Sequence, residues 1–324
     1  MSAVIAPGEV AWGLQLPIQA QSTIFVEPWE ADAGVDDLVA VARAAEAAGA
    51  LYVGVCEHIA IPRPLDATMG ATWYHPIATL GFLAGVTERV RLLSHVVALP
   101  YHHPLEVAKA FATLDRLSGG RAILGVGAGH VEAEFALLGA DFAGRGRHVE
   151  AALPAIRAAL DDEYPSLPAG NPYGLDGSAA LGPRPVQASV PIWVGGSSPV
   201  AVRRAAQHGD GWLPQGVRPA DLPGVVDRLR RLRAEAGRPE RFDVGANVGC
   251  YVGAPTWDVG RVYVGAPEEL AGALRPWVAA GANQLQVRFR SRDRAELEDQ
   301  IARFGAEVAP LLGDATSGRQ PASG

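Results

Sequence analysis

Two spacings of apolar residues alternate along the chain. Short, almost wholly apolar runs such as LYVGVC at residues 51–56, RAILGVG at 121–127 and PIWV at 191–194 read as strands covered on both faces, where the usual polar alternation is lost. Between them lie stretches with apolar positions three and four apart, as in DDLVAVARAAEAA at 36–48, which Gly49 stops. In this way strands are predicted at 12–17, 51–56, 90–99, 121–127, 191–194, 211–214, 241–252 and 284–289. Helices are predicted at 36–48, 76–86, 106–117, 148–160, 199–208, 221–236, 267–280 and 294–311. Residues 161–185, rich in Gly, Pro, Asn and Asp, show no periodicity and read as an excursion after the fourth unit. The small, polar residues 313–324 are expected to be disordered.

Eight strand–helix units within residues 1–312 predict one α/β domain, a (β/α)₈ TIM barrel. A doubly wound sheet would need a glycine-rich turn after its first strand, and Leu16-Pro17-Ile18-Gln19 stands there instead. Barrel chemistry sits in the loops after the C-terminal ends of strands. That points to Glu57-His58, Ser94-His95-Val96, Gly127-Ala128-Gly129-His130 and Gly195-Gly196-Ser197-Ser198.

Composition narrows the function classes. The 324 residues are 48% hydrophobic and 19% charged, with a formal net charge of −7, which opposes nucleic acid as the main partner. Cys56 and Cys250, the only cysteines, match no zinc or disulfide framework, and a cytoplasmic setting is expected. Neither a signal peptide nor an apolar span long enough for a membrane is legible. Lys109 is the only lysine, and it falls inside a helical pattern away from any strand end. Chemistry that runs through a lysine Schiff base is therefore not expected.

Each candidate has a plain reading beside its functional one. His58 and His130 follow strands two and four and could pass a proton near neutral pH, or could be ordinary surface or capping residues. Ser94-His95-Val96 places polar, bulky groups at a strand end and suggests a bulge, though an ordinary strand end fits too. Gly127-Ala128-Gly129 would let a flat ligand approach the backbone, or would serve packing alone. Gly195-Gly196-Ser197-Ser198 before Pro199 describes either an anion site at a helix N-terminus or simply a well-capped helix. Trp73-Tyr74-His75 and Trp212 could wall an aromatic pocket. The three histidines lack carboxylates at ligand spacing, so no metal is expected.

These segments together resemble the bacterial-luciferase-like monooxygenase family. The resemblance runs from about residue 12 to 300 and rests on VARAAEAAGALYVGVCEH, on the stretch from TERVRLLSHVVALPYHHP to GRGRHVE, on GPRPVQ and on PIWVGGSSPVAVRRAAQHGDGW. The second and fourth segments look most like its deazaflavin-dependent branch. The resemblance implies a barrel with an excursion and a cis peptide at His95–Val96 backing the cofactor ring. It also implies a phosphate grip at Gly195, Gly196, Ser197 and Ser198, and a histidine near the redox carbon at His58. Two positions depart from the alcohol-oxidising members: Pro62 stands in place of a tryptophan and His130 in place of a glutamate.

The expectation is therefore an oxidoreductase that uses coenzyme F420 to move a hydride to a C=C or C=N bond of a small organic substrate, with His58 or His130 supplying the proton. The alternative is an FMN-dependent monooxygenase that receives reduced FMN from a separate reductase and uses O2. A third reading is a cofactor-binding homologue without turnover. A homodimer is expected from the resemblance alone.

Overall fold

The computed structural model describes residues 3–23 and 26–313. Eight parallel strands close into a barrel: β1 (Ala11–Gln15), β2 (Tyr52–Val55), the broken pair β3 (Arg91–Ser94) and β4 (Val97–Ala98), β5 (Ala122–Gly127), β6 (Ile192–Gly195), β7 (Gly211–Leu213), β8 (Asp243–Val252) and β10 (Gln284–Phe289). β10 completes the ring by pairing with β1 at Gly13↔Gln286 and with β8 at Asn247↔Gln286. A further short strand, β9 (Tyr263–Gly265), lies beside the end of β8, outside the ring. At three residues it is too short for periodicity to reveal.

Helices α1 (Val35–Ala47), α3 (Pro76–Ala84), α4 (Pro104–Leu117), α6 (Arg145–Asp161), α7 (Pro199–His208), α8 (Leu222–Glu235), α9 (Pro267–Ala279) and α10 (Arg294–Arg303) cover the outside, with short helices α2 (Asp66–Met69) and α5 (Glu132–Leu138) in the upper loops. Their apolar stripes, for instance Val107, Phe111 and Leu114 of α4, bury against outward residues such as Leu92 and Leu124. The single last helix expected at 294–311 is instead α10, a π turn at Phe304–Val308, and α11 (Pro310–Gly313). Phe304 has to reach the rings of Trp12 at 5.1 Å and Phe289 at 5.5 Å, and the wider turn accompanies that packing. Gly313 therefore belongs to a helix, and the rest of the expected tail, 314–324, lies outside the described residues.

A second core fills the barrel from below. Tyr52, Leu93, Ile123, Trp193 and Leu213 point inward and are buried. Tyr52 and Trp193 meet edge to face at 5.6 Å. A Cβ at Gly13 would come 2.5 Å from the Tyr52 ring, so only glycine leaves room for it. Underneath, Asp243 accepts from Val4 N at 2.7 Å, Ile5 N at 3.2 Å and Trp193 Nε1 at 3.1 Å, tying the N-terminal segment across the lower end.

Between β5 and β6, the described excursion from 162 to 191 forms no helix or strand, only an isolated bridge between Ser166 and Asp176. It is held to α4. Asp115 accepts from Val186 N at 2.8 Å and Gln187 N at 2.9 Å, and the Lys109 ammonium donates to the Gly182 carbonyl. Among the described residues no helix is long and apolar enough to cross a membrane.

Candidate active site

At the upper ends of β4 to β7 lies a cavity of about 540 Å³. Its floor comes from a break in the third strand. Leu93 pairs with Ile123 and Val97 with Val126, so three residues oppose two and one bulges out, with the His95–Val96 peptide cis. Ser94 fills the interrupted ladder: its hydroxyl donates to Gly125 O at 2.8 Å and accepts from Gly125 N at 2.9 Å. Glu57 holds the far side, accepting from Ala98 N at 2.7 Å and meeting His102 Nε2 at 2.9 Å. Ser94 and Glu57 thus brace the bulge from behind instead of lining the cavity. Both are buried, and their polar atoms serve backbone and imidazole groups of the protein itself.

The bulge drives the Val96 side chain into a notch between β5 and β6. A Cβ at residue 127 would stand 2.6 Å from Val96 Cγ2, and one at 195 would stand 3.0 Å from Cγ1. Glycine at both positions is what lets this apolar floor exist. His95 lines the same cavity and is 8% exposed. Burial lowers its imidazole to about 4, so it is neutral near pH 7, and its buried Nδ1 has no hydrogen-bond partner.

One end of the cavity is electropositive. β6 runs through Gly195 into Gly196, at φ +106°, and α7 opens with Ser198 accepting from Ala201 N at 3.2 Å and Pro199 at its first position. The turn is laced to the next strand: Trp212 Nε1 donates to Gly196 O at 2.7 Å, while the Ser197 hydroxyl donates to Gln215 O at 2.7 Å and accepts from Gln215 N at 2.8 Å. Gly196 and Ser198 line the cavity; Ser197 acts from outside it. The N-terminus of α6 reaches the same end through Arg145 and Gly146, and its cap residue Gly144 has no side chain to occupy it. Between the two helices stands Arg204, 7% exposed, bonded to Gly146 O at 3.1 Å and 3.5 Å from Glu150, with a buried Nε that has no partner. Two helix N-termini and a buried guanidinium on one spot favour an anion.

The opposite side carries the imidazoles. His130 lines the cavity after β5 and is exposed; His58 stands behind it, after β2, with ring centroids 5.7 Å apart. Burial and the nearby His58 lower the His130 imidazole, against an opposing pull from Glu134. His58 packs edge-on against Trp73 at 4.4 Å, so the loop that carries Pro62 brings a different tryptophan to this histidine. Its Nδ1 lies 2.8 Å from Glu134 on α5.

Of the residues expected from sequence, His95, Val96, Gly127, Ala128, Gly129, His130, Gly195, Gly196 and Ser198 line one cavity; His58 adjoins it. Trp212, expected as a wall, is instead buried and engaged with Gly196, because its strand position faces the helical layer. Sequence reasoning missed Glu134, Tyr101, Arg145, Arg204 and Gln215. A glutamate beside Phe135 in HVEAEF was the faint signal for Glu134. Among the described residues no three His, Cys, Asp or Glu groups stand together as metal ligands.

Comparison with known proteins agrees with this architecture. The family model described as luciferase-like monooxygenase matches residues 16–315. An uncharacterised protein of Mycobacterium tuberculosis is 32% identical over 218 residues, 64% of this chain and 74% of its own length. Among solved structures, coenzyme F420 dependent tetrahydromethanopterin reductase from Methanopyrus kandleri superposes with a TM-score of 0.71 at 21% identity, covering 94% of this chain and 99% of that one. Monooxygenase RslO1 from Streptomyces bottropensis gives 0.75 at 18% identity, covering 93% and 99%.

Proposed function

Because the chain belongs to the luciferase-like monooxygenase family, we propose that its barrel-mouth cavity seats coenzyme F420 and that the protein transfers a hydride between this deazaflavin and a small organic substrate, reducing a C=C or C=N bond. One observation carries the reading. A single cavity joins an apolar floor at Val96 to an anion-binding end at Arg204, with the His130 imidazole at its other side and His58 behind it. That set of residues fits a planar ring system with a phosphate-bearing tail. When bound and reduced, F420 supplies two electrons as a hydride.

The protein's own groups do the rest. Val96 and the flanking glycines support the ring, and the neutral His95 offers an imidazole without adding charge beneath it. The Val200 N–H at the start of α7, the free N–H groups of α6 and the Arg204 guanidinium would hold the phosphate. His130 or His58 gives a proton to the substrate atom left electron-rich by hydride arrival, so hydride plus proton saturate the double bond. An F420 dependent reductase among the structural neighbours supports this choice.

RslO1 among the same neighbours favours a second reading, an FMN-dependent monooxygenase fed by a separate reductase. Equilibrium binding of F420 and FMN to purified protein, side by side, separates the two. Tight F420 with weak FMN, and oxidation of reduced F420 by unsaturated or imine substrates under anaerobic conditions, is expected. Tight FMN with oxygen uptake would overturn the hydride-transfer reading.

A further inference from the structure

Behind the cavity, the carboxylate of Glu134 is fully buried and every direction around it is filled. Oε1 accepts from Ile59 N at 2.6 Å and Ala60 N at 3.1 Å. Oε2 accepts from the Tyr101 hydroxyl at 3.1 Å and faces His58 Nδ1 at 2.8 Å. Burial alone would raise this carboxyl, but the bonds from His58, Ala60 and Ile59 outweigh it and hold it below its ordinary range. Tyr101 moves the other way, raised by burial and by Glu134, so it stays a donor.

An ionised carboxylate only accepts. The proton shared at 2.8 Å therefore resides on His58 Nδ1, which leaves Nε2 as the nitrogen without a proton in the neutral ring. Among the described residues Nε2 has no hydrogen-bond partner. The groups around the imidazole are Glu134, the edge of Trp73 at 4.4 Å, the ring of His130 at 5.7 Å, and Tyr101 through the shared carboxylate.

We propose that Glu134 is a positioning residue that fixes His58 in the Nδ1–H tautomer and so makes Nε2 the nitrogen that carries the proton of the redox reaction. Protonated at Nε2 as well, the ring keeps its Nδ1–H directed at the buried carboxylate. It passes the Nε2 proton to the substrate atom that has gained the hydride, returns to the neutral Nδ1–H form, and is reprotonated from solvent. The carboxylate keeps its charge throughout, as in other carboxylate–histidine pairs. The proton's destination rests on the proposed function; the tautomer does not.

Glu134 also pins the loop at Ile59 and Ala60, a purely structural task. Glu134→Gln separates the two. The glutamine carbonyl can still accept from both amides, while its NH₂ now faces His58, so Nδ1 must become the acceptor and the proton must move to Nε2. The experiment is ¹⁵N NMR of histidine-labelled protein without cofactor, with His58 assigned by H58Q, together with F420 binding and turnover. Native protein should show Nδ1–H, E134Q should show Nε2–H, and Y101F should keep the native tautomer.

E134Q should bind F420 within about twofold of native but lose roughly 100-fold in kcat, the scale of a misplaced general acid. An Nε2–H signal in the native protein overturns the proposal without any variant, so a folding failure of E134Q leaves it decidable. An unchanged tautomer or unchanged kcat in E134Q does so too. If native protein does not use F420 at all, the proposed function fails while the NMR result still decides the role of Glu134.

Discussion

Replacing Arg204 with methionine tests the anion-binding end of the cavity. The side chain is 7% exposed and keeps its length and apolar contacts as Met, so the change removes mainly charge and donors. One terminal nitrogen is already spent on Gly146 O at 3.1 Å and Glu150 at 3.5 Å, whereas Nε is buried and unpartnered. A phosphate that accepts from the guanidinium gains one charge-assisted bond, about 1.5–3 kcal/mol. At about 1.4 kcal/mol per decade, binding should weaken by roughly 10- to 150-fold. Residual affinity should persist, because the Val200 N–H of α7 and the N–H groups at the start of α6 remain.

Isothermal titration of R204M and native protein against phosphate-bearing ligands and their phosphate-free counterparts, FMN with riboflavin and F420 with its phosphate-free ribityl deazaflavin core, gives the decisive contrast. The loss should appear only in the phosphate-bearing ligand that binds. Arg203, 46% exposed at the side chain and also paired with Glu150, supplies the control: R203M should change affinity less than about twofold. An equal loss for the phosphate-free ligand, or none for its partner, would refute the assignment of Arg204 to the phosphate.

Gly127→Ala puts a Cβ 2.6 Å from Val96 Cγ2, so overpacking of about 1–3 kcal/mol should lower the melting temperature and weaken cofactor binding; V96A in the same chain should restore the melting temperature but not the binding, because it also removes the floor. Glu57→Gln should make stability less dependent on pH. Burial pulls His102 down, but Glu57, helped by Glu106, outweighs it and holds the imidazole above its usual range. That stabilisation is full below about pH 6.5 and lost as pH rises through the raised folded value, so melting curves from pH 5.5 to 8.5 should flatten in E57Q. Arg121, 8% exposed, donates to Ala84 O, Thr87 O, Val90 O, Ser118 O and Thr87 Oγ1. Arg121→Met strands these buried acceptors and should cost about 3 kcal/mol, read as a denaturant midpoint shift with unchanged slope.

The barrel and much of the cavity were legible because they are local. Apolar runs, helical spacing and the glycines at 127, 195 and 196 each announce themselves within a few residues, and the bulge at His95–Val96 sits where a polar pair interrupts an apolar run. Glu134, Tyr101 and Arg204 were not legible. Glu134 reaches a histidine 76 positions earlier, and Arg204 a carbonyl 58 positions earlier, so neither partnership leaves a trace in local pattern. Glu57 and Ser94 show the complementary failure. Their position at strand ends correctly put them at the mouth, but position alone does not say which way a side chain turns, and both turn to brace the backbone.

The aromatic plug of Tyr52 and Trp193, sealed beneath by Asp243 and the N-terminal segment, bears on traffic as well as stability. It closes the barrel's lower end, so what reacts above the plug enters from the barrel mouth. Whatever lies deepest has to arrive first and depart last. For a cofactor seated on Val96 beneath its substrate, the kinetics should be ordered: inhibition by a dead-end substrate analogue should be uncompetitive toward the cofactor and competitive toward the substrate.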